Sequence, residues 1–295
     1  MSRRKLPVLI ILTLSLILIA STAIAKSPNA EKNTPVYYLS LGTSLAAGVQ
    51  ADPVTGEDVV TDVSYPSILA SILAETLSGT IKKLRHVNLG CPGENSDTFI
   101  EGGICDYPRG SQLDEAVNFL HAHGKFTGLI TIDLGANDAL ACFDGPYIDD
   151  KCFKKTVKRL SRNLAYVIKT LRKVAGPNVP IVGMDYYNPL LVFWFEDPPL
   201  AMQTANIQNQ LNNALLKVYA RFGIPVADVS EAFESNNFTD SNGSGVPDNV
   251  ELICAWTWMC EWFNIHPNAS GYSAIANEFV IVLPSIPISK PSRRR

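Results

Sequence analysis

From Val36 onward the chain alternates short, β-rich apolar runs with amphipathic stretches of helical period, and this alternation constrains the fold more than any other feature. The runs that read as strands are Val36 to Leu41, Arg85 to Leu89, Leu129 to Leu134, Val179 to Tyr186 and Pro225 to Val229. Between them, Val157, Leu160, Leu164, Val167, Ile168, Leu171 and Val174 recur at helical spacing and stop at Gly176-Pro177, a helix-ending pair. Similar stripes run through Tyr65 to Leu77, through Leu113, Ala116, Val117 and Leu120, and through Ile207, Leu211, Leu215 and Val218. With no internal repeat and no linker-like break, the alternation predicts one domain with a central parallel sheet flanked by helices. Ligands of such a sheet bind in the crevice beyond the carboxyl ends of the strands. Chemistry is therefore sought in the turns that follow each strand.

The N-terminus predicts export. Arg3, Arg4 and Lys5 precede an apolar run from Leu6 to Ala20, and Ala23-Ile24-Ala25 supplies the small-x-small pattern at which signal segments are cut. The run falls short of the roughly 18 to 20 residues that span a bilayer, which favours cleavage over anchoring. The expected organisation is a signal segment over 1–25, a linker over 26–34, a single folded domain over 35–285 and a basic tail over 286–295. All six cysteines lie downstream of the signal segment, and an even count in an exported chain reads as disulfides. Six cysteines allow fifteen pairings. Short loop closure favours Cys91 with Cys105, Cys142 with Cys152 and Cys254 with Cys260, while the two-to-four-residue spacings of a zinc site are absent. A net charge of −3 without a basic face excludes a nucleic-acid footprint. The expected product is a secreted monomer without stable membrane insertion.

Polar blocks sit where that architecture puts chemistry. After the first strand comes Gly42-Thr43-Ser44-Leu45-Ala46-Ala47-Gly48; Ala46 rules out the Gly-x-Ser-x-Gly elbow of α/β-hydrolases. After the second comes Gly90 in Asn88-Leu89-Gly90-Cys91-Pro92-Gly93, and after the third Gly135-Ala136-Asn137-Asp138. Asn264-Ile265-His266-Pro267-Asn268 lies near the C-terminus. This ordered set resembles the SGNH (GDSL-like) serine hydrolases, over nearly the whole mature chain. The resemblance implies a flavodoxin-like three-layer α/β/α sandwich. It also implies Ser44 as nucleophile, His266 as base, and Ser44, Gly90 and Asn137 as the oxyanion hole, with no metal or organic cofactor. A serine hydroxyl is un-ionised at neutral pH and needs an imidazole to take its proton. The other histidines, His86, His121 and His123, fall on a strand edge and a helix end and read as packing or surface residues.

The chain departs from the family pattern at two positions. Thr43 replaces the aspartate before the serine, and Phe263 stands where the family carries an aspartate three residues before the histidine. The histidine still needs an acceptor to fix its tautomer. A main-chain carbonyl near Phe263 is the expected acceptor, with Glu261 and Asn264 as alternatives.

The expected substrates are small-molecule or lipid carboxylic esters. The alternatives are O-acetylated carbohydrates, or a secreted binding protein of the same fold without turnover. Leu190 to Phe195 and Trp256 to Met259 either line an acyl pocket, pack the core or present tryptophans to a glycan. Asp240, Asn242, Ser244, Gly245, Val246, Asp248 and Glu251 match the spacing of an EF-hand-like calcium loop, although the same residue types also simply make turns. Asp149-Asp150 reads as a solvated turn.

Overall fold

A computed structural model describes residues 35–79, 83–145 and 147–284. The expected signal segment, the linker and the basic tail lie outside the described residues. The central sheet is built from β1 (Val36–Leu41), β2 (Leu84–Asn88), β3 (Thr127–Ile132), β4 (Ile181–Met184) and β5 (Val226–Ala227), all parallel. Their spatial order is β2-β1-β3-β4-β5, the flavodoxin-like order. Every residue of β3 is buried, as a central strand covered on both faces requires, whereas β2 at the edge is only half-buried.

Helices cover both faces. On one side α2 (Tyr65–Thr76) packs against α7 (Ala269–Val282), with the Tyr65 and Phe279 rings stacked at 4.7 Å between centroids. On the other side α5 (Asp150–Ala175) lies between α3 (Gln112–His123) and α6 (Pro198–Arg221). Helix α5 forms where the stripe predicts. It buries Leu160, Leu164, Val167, Ile168 and Leu171, each worth about 1.5 to 3 kcal/mol against exposure, and stops at Gly176. Asp149 is solvent-exposed, as expected, but it is the N-cap of a helix rather than a plain turn. Its carboxylate accepts from Lys151 N and Cys152 N at 2.8 and 3.0 Å and caps α5, whose opening amides have no partner within the helix.

The disulfides join Cys91 to Cys105, Cys142 to Cys152 and Cys254 to Cys260. The last pins the Asp248–Trp256 helix to the turn that leads into Asn264–Pro267, the short strand carrying His266. Among the described residues no helix is long and apolar enough to cross a membrane.

Candidate active site

The chain leaves β1 through Gly42, whose φ of 145° suits glycine; a side chain there would run into the Asp133 carboxylate. Asp133, the residue after β3, holds the turn. Its Oδ1 accepts from Thr43 N at 2.8 Å and Thr43 Oγ1 at 2.6 Å, and its Oδ2 accepts from Tyr65 Oη at 2.9 Å. Burial pushes this carboxyl up to about 7, against the lowering effect of its donors. Thr43 thus works as the N-cap of α1 (Ser44–Ala47), and the departure at this position is absorbed by hydrogen bonds to Asp133. Asp133→Ala would strand three buried donors, at a cost of about 3 to 5 kcal/mol. Differential scanning calorimetry is expected to show the melting temperature falling by about 6 to 20 °C.

Ser44 opens α1. The Thr43 amide is taken by Asp133 and the Leu45 amide by Thr43 Oγ1, while the Ser44 amide has no protein acceptor among the described residues. Gly90 packs against the same turn: a Cβ on it would lie 2.6 Å from Ala47 N and 2.7 Å from Ala46 Cβ, so only glycine fits. Its amide donates to Asn88 Oδ1 at 2.9 Å. Asn137, in α4 (Ala136–Leu140), donates one Nδ2 hydrogen to Glu94 O at 2.9 Å and keeps the other free.

Ser44, Asn137 and His266 line one narrow cleft of about 710 Å³, open mouth included. Gly90 borders the turn but does not line the cleft. No hydrogen bond joins Ser44 Oγ to the imidazole; contacts of this kind often tighten only with substrate bound. The cleft wall is mainly apolar, including Leu45, Leu140, Phe143, Ile207, Leu211 and Ile265. Of the apolar segments singled out in the sequence, only Leu190 reaches it. Phe193 is buried against Phe263, and Trp256 packs edge-on to Phe233.

His266 is 8% exposed. The carbonyl of the preceding Ile265 accepts from Tyr187 Oη at 2.6 Å, which anchors the strand. The expected main-chain acceptor near Phe263 is replaced by side chains. Nδ1 lies 2.9 Å from Asn264 Oδ1 and 3.1 Å from Asp58 Oδ1. The Asn264 amide has one possible orientation, because its Oδ1 accepts from His266 N at 3.0 Å and its Nδ2 donates to Asp58 Oδ1 at 2.7 Å. Nδ1 therefore faces acceptors alone and carries the hydrogen in the neutral ring, leaving the Nε2 lone pair free. Burial lowers the imidazole below its ordinary value of 6.5, while the Asp58 carboxylate pulls it back up. The net shift favours the neutral ring. The contribution of Asp58 was not foreseen; the one sequence signal was negative, a phenylalanine at 263.

The calcium-like loop closes on itself. Asp240 accepts from Ser244 N and Gly245 N, and Glu251 from Asn242 Nδ2 and Ser244 Oγ. Among the described residues no three His, Cys, Asp or Glu side chains form a group able to hold a metal ion. The remaining histidines sit away from the cleft: His86 stacks on Tyr38 and bonds Ser40, and His123 packs between Tyr37 and Phe119.

A family model described as "GDSL-like Lipase/Acylhydrolase family" matches residues 40–274. Among solved structures, the chain is similar to a putative GDSL-like lipase from Parabacteroides merdae (TM-score 0.54, 15% identity, covering 84% of this chain and 94% of that one). It is also similar to the lipase Lip_vut3 from a goat rumen metagenome (TM-score 0.52, 16% identity, 84% and 97% covered). A third similar structure is Axe2, an acetylxylan esterase from Geobacillus stearothermophilus (TM-score 0.51, 14% identity, 83% and 93% covered). At these identities the likeness is one of fold. A search of curated proteins returns no match.

Proposed function

Because the chain belongs to the GDSL-like lipase/acylhydrolase family, we propose that it is an exported serine hydrolase that cleaves carboxylic esters carrying apolar acyl chains. The observation that carries the reading is the apolar cleft with Ser44, Asn137 and His266 on its wall. Ser44 Oγ attacks the ester carbonyl while His266 Nε2 takes the hydroxyl proton. The oxyanion is received by the Ser44 amide and the free Asn137 Nδ2 hydrogen; the Gly90 amide, which donates to Asn88 Oδ1 in this structure, would have to exchange that acceptor for the oxyanion to act as the third donor. The tetrahedral species collapses to an acyl-Ser44, and His266 returns its proton to the departing alcohol. Water then repeats the sequence on the acyl-enzyme and releases the acid. No metal or organic cofactor enters this scheme. Export is supported by the disulfides and by the signal-like N-terminus.

The apolar lining favours acyl chains over acetyl groups, since an acetyl would leave most of the wall uncovered. Hydrolysis of p-nitrophenyl esters of graded length tests this. From acetate toward octanoate, kcat/KM is expected to rise about two- to fourfold per added methylene, following roughly 0.8 kcal/mol for each one buried. A maximum at acetate would point instead to a carbohydrate O-acetylesterase. Absence of turnover with every ester, acetylated glycans included, would leave a binding protein. An alkyl phosphonate ester that reacts with serine nucleophiles is expected to leave its adduct on the Ser44 peptide in mass spectrometry.

A further inference from the structure

The carboxylate beside His266 comes from a different part of the chain than its neighbours do. Val49–Ala51 and Asp58–Val60 form an antiparallel hairpin, with Val49 opposite Val60 and Ala51 opposite Asp58. Asp52 closes the turn by accepting from Val54 N and Thr55 N, each at 2.9 Å. Gly56 lies under the Trp262 ring, where a Cβ would sit 2.6 Å from a ring carbon. The hairpin is tied to the histidine region from both sides. Tyr272 Oη, on the helix that follows His266, donates to Val49 O at 2.6 Å, and Asn264 Nδ2 donates to Asp58 Oδ1 at 2.7 Å. Asp58 is thereby delivered to within 3.1 Å of His266 Nδ1 from 206 residues before Asn264.

We infer that Asp58 is the positioning carboxylate of this site, supplied across the fold by the hairpin in place of an acid within the histidine segment. The inference rests on the proposed serine-hydrolase reading. Asn264 has two jobs here: it shares the Nδ1 hydrogen with Asp58, and its amide nitrogen holds the carboxylate in place. The Asp58 charge raises the imidazole pKa against the lowering effect of burial. As the imidazolium forms during attack, a carboxylate on its Nδ1 side stabilises that charge, which the neutral Asn264 amide cannot match. The Asp58 side chain is 61% exposed, so its influence is screened and smaller than that of a buried triad acid.

The experiment compares Asp58→Asn, Asp58→Ala and Asp58→Glu with the wild-type protein, reading ester kinetics together with the His266 titration by NMR. With the acid removed, kcat is expected to fall about 10- to 100-fold while KM stays within about twofold. The His266 titration and the acid limb of the rate profile are expected to move together to lower pH, because the group that raises the imidazole pKa is gone. Asp58→Glu is expected to recover part of both. Melting temperatures are expected to stay within about 2 °C of wild type, as exposed side chains contribute little to stability. An unmoved His266 titration in both Asp58→Asn and Asp58→Ala would overturn the assignment, and so would an unchanged kcat. A fully active Ser44→Ala would sink the serine-hydrolase reading instead while leaving the titration effect intact, so the two failures separate.

Discussion

Ser44→Ala is expected to lower kcat/KM for a p-nitrophenyl ester by about 10⁴- to 10⁶-fold, and His266→Ala by a similar factor. The two residues act as a unit: without the base the hydroxyl keeps its proton, and without the hydroxyl the base has no nucleophile to activate. The double variant should therefore be no slower than the worse single one, where independent contributions would multiply. A residual rate above the uncatalysed reaction is expected in all three, because Asn137 and the Ser44-position amide still face the developing oxyanion. Neither change should cost much stability. Ser44 is half-buried and accepts no buried donor, and loss of the His266 ring removes its contacts with Asn264 Oδ1 and Asp58 Oδ1 while both acceptors keep other donors. Steady-state kinetics on variants whose melting curves match wild type is the measurement. A Ser44→Ala protein retaining more than about a tenth of wild-type kcat/KM would end the nucleophile assignment. The wild-type profile carries a second check. Burial holds the imidazole below 6.5, so the acid limb of kcat/KM is expected below that pH, with full activity where the ring is neutral.

The strands and long helices were legible because their periodicity follows burial. The stripe from Val157 to Val174 faces the sheet as read, and the run ending at Leu41 is a strand that delivers Ser44 at its carboxyl end. Boundaries slipped where polar work intervenes. The third strand runs Thr127–Ile132 rather than Leu129 to Leu134; at its end the Asp133 amide still donates to Leu41 O at 3.2 Å while the side chain holds Thr43 and Tyr65. The fourth is shortened to Ile181–Met184 before Asp185, whose carboxylate accepts from Ser230 N. The Val49–Val60 hairpin was invisible for a different reason. Its outer strand, Asp58–Val60, is three residues long and exposed throughout, so no alternation marks it.

The site shows the same division. Ser44, Gly90, Asn137 and His266 could be singled out because each belongs to a local motif at a predictable place after a strand or before the last helix, and the fold brings Ser44, Asn137 and His266 to one cleft with Gly90 beside the nucleophile turn. Asp58 could not, because its role depends on a tertiary contact between segments with no shared local pattern. Nor could the cleft wall be separated from the core. Ile207 and Leu211 lie on the same helical stripe as Leu215 and Val218, yet only the first two face the cleft. A stripe tells which face is covered and not whether protein or ligand covers it.

Asn137→Ala is expected to reduce kcat by about 100- to 1,000-fold, about 2.7 to 4 kcal/mol of transition-state stabilisation, with KM little changed. One Nδ2 hydrogen is already committed to Glu94 O at 2.9 Å, which fixes the amide plane and leaves the other hydrogen directed away from that bond. A donor fixed in advance needs no reorganisation when the carbonyl oxygen gains charge, and that is why its loss appears in kcat. Glu94 is itself braced by Gln112, whose side chain also pairs with both the Gly42 carbonyl and amide, so the donor and the nucleophile turn share one support. Asn137→Asp makes the sharper comparison. It keeps the volume but sets a carboxylate beside Glu94 O and the forming oxyanion, so it should be at least as damaging as alanine, and less so at acid pH where the carboxyl is protonated. If Asn137→Ala kept kcat within about threefold while Ser44→Ala was inactive, the oxyanion would rest on backbone amides alone, and Gly90, released from Asn88, would become its principal partner to Ser44.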